Sequence, residues 1–136
     1  MALNLHSYQF GFVVGAMLIA LPTTSQTTAK RQPLVIPLQC TGGDCPLLTG
    51  VPQTAGMRSG YVRLLAGSTV GWHTTEKNEE SLVILQGQGE ALIEGQADRS
   101  FSAPAVVYIP PATRHNNKNT GKLPLKYVYI VALAKE

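Results

Sequence analysis

From Met57 onward, apolar and polar positions alternate in short runs that are typical of β-strands. The runs are rich in β-branched and aromatic residues, are bounded by Gly, Pro or Asn, and leave no room for a ten-residue helical stripe between them. They cover Ser59–Gly67, Ser81–Gly95, Ala103–Pro110 and Leu123–Leu133. Short strands with turn residues at this spacing predict an all-β domain, built as an antiparallel sandwich or barrel.

The longest of these runs, "SLVILQGQGEALIEG", contains an internal glycine turn. An apolar strand on each side of "QGQG" predicts a β-hairpin at this point.

Two segments precede the β-rich region, which we delimit as residues 57–136. In residues 1–29, the apolar block Phe10–Leu21 is short for a membrane span but fits the central region of a signal peptide cleaved after Ser25 or Ala29. No Lys or Arg stands before this block, so an uncleaved anchor or a buried helix is the alternative. We therefore expect export to the periplasm or medium, with membrane attachment only if the segment is retained.

Residues 30–56 are rich in Pro, Gly and Thr, and their prolines argue against a helix. They predict an irregular arm or an edge strand. Cys40 and Cys45 flank a Gly-Gly turn here, which favours a local disulfide in an exported chain; free thiols and a metal clip are the alternatives.

Composition narrows the function classes. The chain has 136 residues, a net charge of +3 and 14% charged residues, with Lys and Arg scattered along it. This is globular composition without a basic stripe, and it argues against a nucleic-acid partner.

Two distant segments carry the residues that could bind a metal ion or a substrate. His73 is followed by Thr75, and Glu80 opens the next strand. His115 follows a Pro-Pro turn, with Asn119 four residues later. In a closed antiparallel barrel these segments can bring His73, Glu80 and His115 together, and two imidazoles with one carboxylate are typical of non-haem Fe(II) centres.

The spacing of these residues resembles the two motifs of the cupin superfamily, which are small jelly-roll β-barrels. Its first motif, G-x5-H-x-H-x3,4-E-x6-G, is matched from Gly67 to Gly87, except that Thr75 replaces the second histidine. Its second motif, G-x5-P-x-G-x2-H-x3-N, is matched by Pro110, His115 and Asn119, with Pro104 and Ala112 in the places of its glycines.

The resemblance implies a jelly-roll fold and a divalent metal (Fe, Mn, Zn or Ni) held by His73, Glu80 and His115. It also implies a homodimer, because small cupins commonly dimerise. Thr75, Asn119 and Arg63 are candidate pocket residues, although Asn119 also suits a turn and Arg63 also suits an exposed position. Glu79 is an alternative to Glu80, but Glu80 has the motif's distance to Gly87.

The implied activity is that of an oxygenase, isomerase or decarboxylase acting on a small organic molecule. A non-catalytic module that binds a sugar or metabolite is the main alternative, and a structural or storage role is the third. The sequence does not identify a general base apart from the proposed ligands.

Overall fold

Residues 30–134 are described by the computed structural model, and within them eight antiparallel strands form two sheets. The five-stranded sheet, called the large sheet here, has the order β1-β2-β8-β3-β6, and the three-stranded small sheet has the order β5-β4-β7. The strands are β1 Asp44–Thr49, β2 Arg58–Leu64, β3 Asn78–Gln86, β4 Gln88–Ile93, β5 Arg99–Ser102, β6 Ala105–Ile109, β7 His115–Asn119 and β8 Leu125–Leu133. The predicted all-β antiparallel architecture is confirmed.

The strand sequences place the core by simple alternation. On β3, Leu82 and Ile84 are 0% and 1% exposed and share the inward face, while Val83 between them is only partly buried. Together with residues of β2 and β8, they form the larger apolar cluster. A smaller cluster of Ala91, Ile93 and Ile109 joins β4 to β6, so the core lies between the two sheets.

The predicted hairpin between β3 and β4 is wrong. β3 pairs with β6 and β8 in the large sheet, whereas β4 pairs with β5 and β7 in the small sheet. Gly87 therefore turns the chain from one sheet into the other. Its φ of 90° favours glycine, and a Cβ there would stand 3.0 Å from the backbone of Pro124 and Leu125.

The arm is partly regular. Residues 44–49 form β1, an edge strand paired with β2, and its register shifts between Pro46 and Leu48. Proline lacks the N–H that a central strand donates to its neighbours, so within sheets it is found at edge strands and irregularities such as this one. The expected Cys40–Cys45 disulfide is present.

The predicted export segment, residues 1–29, lies outside the described residues. Between Lys30 and Ala134, no helix has the length and apolar character that crossing a membrane requires.

Candidate metal centre

His73 and His115 face each other across a backbone pair. The N–H of each donates to the carbonyl of the other, and both hydrogen bonds are 2.9 Å long. Residues directly opposite in an antiparallel pair project their side chains to the same face. The two imidazole rings therefore meet, with their centroids 4.3 Å apart.

The loop before His73 is held against β7 by further backbone bonds. Val70 N–H donates to Asn117 O, and Asn119 N–H donates to Ser68 O. This pairing fixes the register between two segments that lie more than forty residues apart in sequence, which explains how His73 comes to oppose His115.

Each imidazole is oriented by a backbone carbonyl. Nδ1 of His73 lies 3.0 Å from Gly71 O, and Nδ1 of His115 lies 3.0 Å from Thr113 O. A carbonyl can only accept, so each Nδ1 carries the proton and the neutral ring keeps its lone pair on Nε2. This is the arrangement that metal-binding histidines commonly show.

Glu80 comes to these rings from the opposite sheet. It lies on the inward face of β3, with Leu82 and Ile84, and is 5% exposed. Its Oε2 atom lies 3.1 Å from His115 Nε2 and 3.8 Å from His73 Nε2. The predicted convergence of His73, Glu80 and His115 is thus present in the structure.

The three donor atoms suit a divalent cation. They all lie within 4.8 Å of one another. Metal–ligand distances of about 2.0–2.2 Å place neighbouring ligand atoms roughly 3.0–3.5 Å apart, close to the separations around Glu80. Glu80 Oε2 and His115 Nε2 are buried and have no hydrogen-bond partner of acceptable geometry. Since buried polar atoms are nearly always satisfied, these two fit a metal-binding role.

Electrostatic interactions among His73, Glu80 and His115 shift the pKa values of Glu80 and His73 in opposite directions. Burial raises the pKa of Glu80, but the imidazoles of His115 and His73 outweigh it and hold this pKa below its ordinary value. The Glu80 carboxylate raises the pKa of His73, against an opposing effect of burial. The carboxylate is therefore ionised at neutral pH, as a metal ligand must be.

A cavity of about 400 Å³ opens beside the three residues. Its lining is part polar and part aromatic, and it includes His73 and Glu80. The other lining residues are Asp44, Arg58, Val62, Val70, Gly71, Trp72, Thr74, Thr75, Asn117, Tyr127, Tyr129 and Val131. A cavity of this size suits a small organic ligand.

Of the three candidate pocket residues, Thr75 lines the cavity, whereas Asn119 and Arg63 do not. Thr75 lines the cavity, but its hydroxyl donates to Asn78 O at 2.7 Å. Asn119 lies outside the lining, because its amide donates to Leu64 O and Leu123 O and supports the turn after β7. Arg63 is exposed and also lies outside the lining. As pocket candidates, Asn119 and Arg63 are therefore not supported.

Glu79 has a different environment from its neighbour. Strand alternation turns its side chain away from Glu80, and its Oε2 accepts a 3.1 Å hydrogen bond from the Tyr108 hydroxyl. The preference for Glu80 over Glu79 agrees with the geometry.

Several cavity residues were not singled out from the sequence. Asn117 is 1% exposed, lines the cavity and has a side-chain oxygen without a hydrogen-bond partner. Its position two residues after His115 on a strand was the available signal, since i and i+2 share a face. Arg58 gave no comparable signal, because the face on which it lies depends on the register of β2 with β8.

The comparisons agree with this architecture. The family model of the cupin domain matches residues 60–131, a range that includes all three candidate ligands. The chain therefore belongs to the cupin family. No curated protein sequence is significantly similar to it.

Solved structures share the fold. The cupin domain of Schizosaccharomyces pombe Cnp3 gives a TM-score of 0.60 at 23% identity, covering 67% of this chain and 64% of that one. A predicted oxalate decarboxylase from Thermotoga maritima gives 0.53 at 28% identity, covering 57% and 66%. An RmlC-like cupin family protein with a double-stranded β-helix fold, from Methanocaldococcus jannaschii, gives 0.60 at 16% identity, covering 74% and 91%. The match thus spans slightly less than two thirds of the first two structures.

Proposed function

We propose that this cupin binds one divalent metal through His73, Glu80 and His115, and that it acts there on a small organic molecule. The reaction classes that suit such a centre are oxygenation, isomerisation and decarboxylation. A bound metal would supply Lewis-acid or oxygen-activating chemistry. We also propose that the protein is exported, which the Cys40–Cys45 disulfide supports, since disulfides persist in oxidising compartments.

One observation carries the metal assignment. Two imidazole Nε2 lone pairs and a carboxylate oxygen point at the same place, and two of these three atoms are buried without a hydrogen-bond partner. Without a cation, only the two imidazoles offset the desolvation of the Glu80 carboxylate, whereas a bound divalent cation would compensate it directly.

The three proposed ligands differ in burial and therefore in role. His115, with a fully buried side chain, anchors the centre inside the barrel, while the His73 side chain is 39% exposed and faces the cavity. Glu80 supplies the negative charge that favours a cation. The cavity beside His73 is where the small molecule would reach the centre.

The test is the metal content of the full chain, purified without a histidine tag and measured by mass spectrometry of the elements. Wild type is compared with His73→Ala, His115→Ala and Glu80→Gln. Glu79→Gln, which removes the adjacent carboxylate, serves as the matched control.

Near-stoichiometric metal is expected in wild type and in the control, with a strong loss in the three ligand variants. Equal trace metal in all five proteins would refute the centre. Because His115→Ala removes a buried side chain that can be needed for folding, the decision rests on His73→Ala and Glu80→Gln, each checked by circular dichroism.

A non-catalytic binding module is the second candidate. The Thr75 hydroxyl is committed to Asn78 O, so this group next to the centre is not free to act as an acid or base. A screen of oxygen uptake and product formation with metal-loaded protein separates the two candidates. Saturable ligand binding without turnover would favour the binding module.

A further inference from the structure

One row of paired residues crosses the large sheet beside the candidate centre, from the buried Glu80 to Arg58, which is exposed to solvent at the cavity. In the strand register, Val131 on β8 is paired with Arg58 on one side and with Glu80 on the other. All three residues line the cavity. Because neighbouring strands lie about 4.8 Å apart, the backbones of Arg58 and Glu80 are roughly 10 Å apart in this row.

The Arg58 guanidinium has no carboxylate partner in residues 30–134. The ion pairs found there involve Glu80 with the two histidines and Glu94 with Arg114. Asp44 also lines the cavity, but it pairs with Val62, four residues along β2 from Arg58, or roughly 13 Å away along the strand. The Arg58 guanidinium therefore lies in the cavity lining without a carboxylate of residues 30–134 in ion-pair contact with it.

A second donor lies next to Arg58. Tyr129 also lines the cavity, and a Cβ on Gly60 would stand 2.5 Å from its ring and hydroxyl. The ring therefore lies over the Gly60 backbone, two residues from Arg58. Burial raises the pKa of Tyr129, so its hydroxyl stays protonated and is able to donate.

We propose that Arg58, together with Tyr129, receives the carboxylate of a small organic anion whose opposite end lies at the His73–Glu80–His115 centre. The guanidinium is a bidentate donor that matches a carboxylate, and Val131 supplies an apolar floor for a short carbon chain between the two ends. The ligand class is short dicarboxylates and related hydroxy or keto acids. This inference rests on the proposed function.

The experiment measures binding to the full chain after loading with Zn²⁺ and removal of excess metal. Malonate, succinate and glutarate are the probes, and succinamide is the neutral control. The readout is fluorescence of Trp72, which is the single tryptophan of the chain and lines the cavity. Arg58→Gln is compared with Arg63→Gln, which removes an arginine that is likewise exposed but lies on the opposite face of the same strand, outside the cavity lining.

At least one dicarboxylate should bind wild type and Arg63→Gln with equal affinity, and Arg58→Gln should bind it about 10- to 100-fold more weakly. Succinamide should not bind. Metal content should be the same in all three proteins, because Arg58 is not a ligand.

Unchanged dicarboxylate affinity in a fully metal-loaded Arg58→Gln would overturn this inference and leave the metal centre standing. Absence of saturable binding to loaded wild type by any of the three dicarboxylates would overturn it as well. Failure of wild type to retain metal would instead be a failure of the proposed function.

Discussion

The inward face of β3 has two halves that differ in chemistry although they share one strand. Glu80 lies near its beginning, against His73 and His115, whereas Leu82 and Ile84 follow within the apolar core. All three side chains are almost completely buried. Strand alternation points all three side chains inward, so the difference lies in the residues that each side chain contacts across the barrel.

Burial of the apolar half stabilises the fold, whereas burial of the polar half costs free energy that other interactions must offset. Burying Leu82 removes apolar surface from water and stabilises the barrel. Burying Glu80 removes a carboxylate from water and costs free energy unless a proton or a cation compensates it. Changes in the apolar half should therefore alter stability, while changes in the polar half should alter binding.

The largest expected effect on stability is that of Leu82→Ala. Leu82 is 0% exposed in the main core cluster, so its truncation should lower the free energy of unfolding by about 2–5 kcal/mol. Urea denaturation of the metal-free protein measures this. Leu85→Ala, on the same strand but 45% exposed, is the control and should cost about 0.5 kcal/mol. Equal losses in both variants would contradict the assignment of the core.

Metal should stabilise the fold through the polar half alone. A ligand that binds only the folded protein adds about 2.7 kcal/mol at a hundred times its dissociation constant. Added Zn²⁺ should therefore raise the melting temperature of wild type and of Glu79→Gln, but not that of Glu80→Gln. The same rise in Glu80→Gln would place the metal elsewhere, and no rise in wild type would refute the centre.

Ala112 gives a smaller effect at the edge of the site. It stands at a glycine position of the cupin motif with φ of 55°, and its N–H donates to Glu76 O. A residue with a Cβ is strained in this region, so Ala112→Gly should stabilise the protein by up to about 1 kcal/mol. Ala132→Gly, within the regular strand β8, should destabilise it by about 0.5–1 kcal/mol. A loss of stability in Ala112→Gly would show that the strain is negligible.

The contrast between the two halves also explains what the sequence could predict. Alternation identified β2, β3, β4, β6 and β8 because one face of each is apolar. The spacing of the cupin motifs identified His73, Glu80 and His115. The same alternation places Leu82 and Ile84 on the buried face of β3. These signals are local, or repeat a known pattern.

Other features depend on tertiary register. The turn at Gly87 has the local chemistry of a hairpin, yet its strands enter different sheets because β4 finds its partners in β5 and β7. Arg58 and Arg63 lie on one strand, and only the pairing of β2 with β8 decides which one lines the cavity. No pattern in the neighbourhood of these residues contains that information.

The smallest effect concerns the pH dependence of the metal-free polar half. The pKa of His73 is raised above its ordinary 6.5, so its contribution to stability is complete below that pH and is lost as the pH rises through the folded-state value. The pKa of Glu80 is lowered from 4.5, so its contribution is complete above that pH and is lost as the pH falls through the folded-state value.

The attraction between Glu80 and His73 should therefore be largest between about pH 4.5 and 6.5. Partial exposure of His73 screens it, so wild type should exceed His73→Gln in free energy of unfolding by less than about 1 kcal/mol in this window. Denaturation of both proteins in a chelator from pH 4 to 9 measures the difference, and the advantage should shrink above neutral pH. A difference that is flat with pH would show that His73 is oriented by Gly71 O alone and is not coupled to Glu80 in the absence of metal.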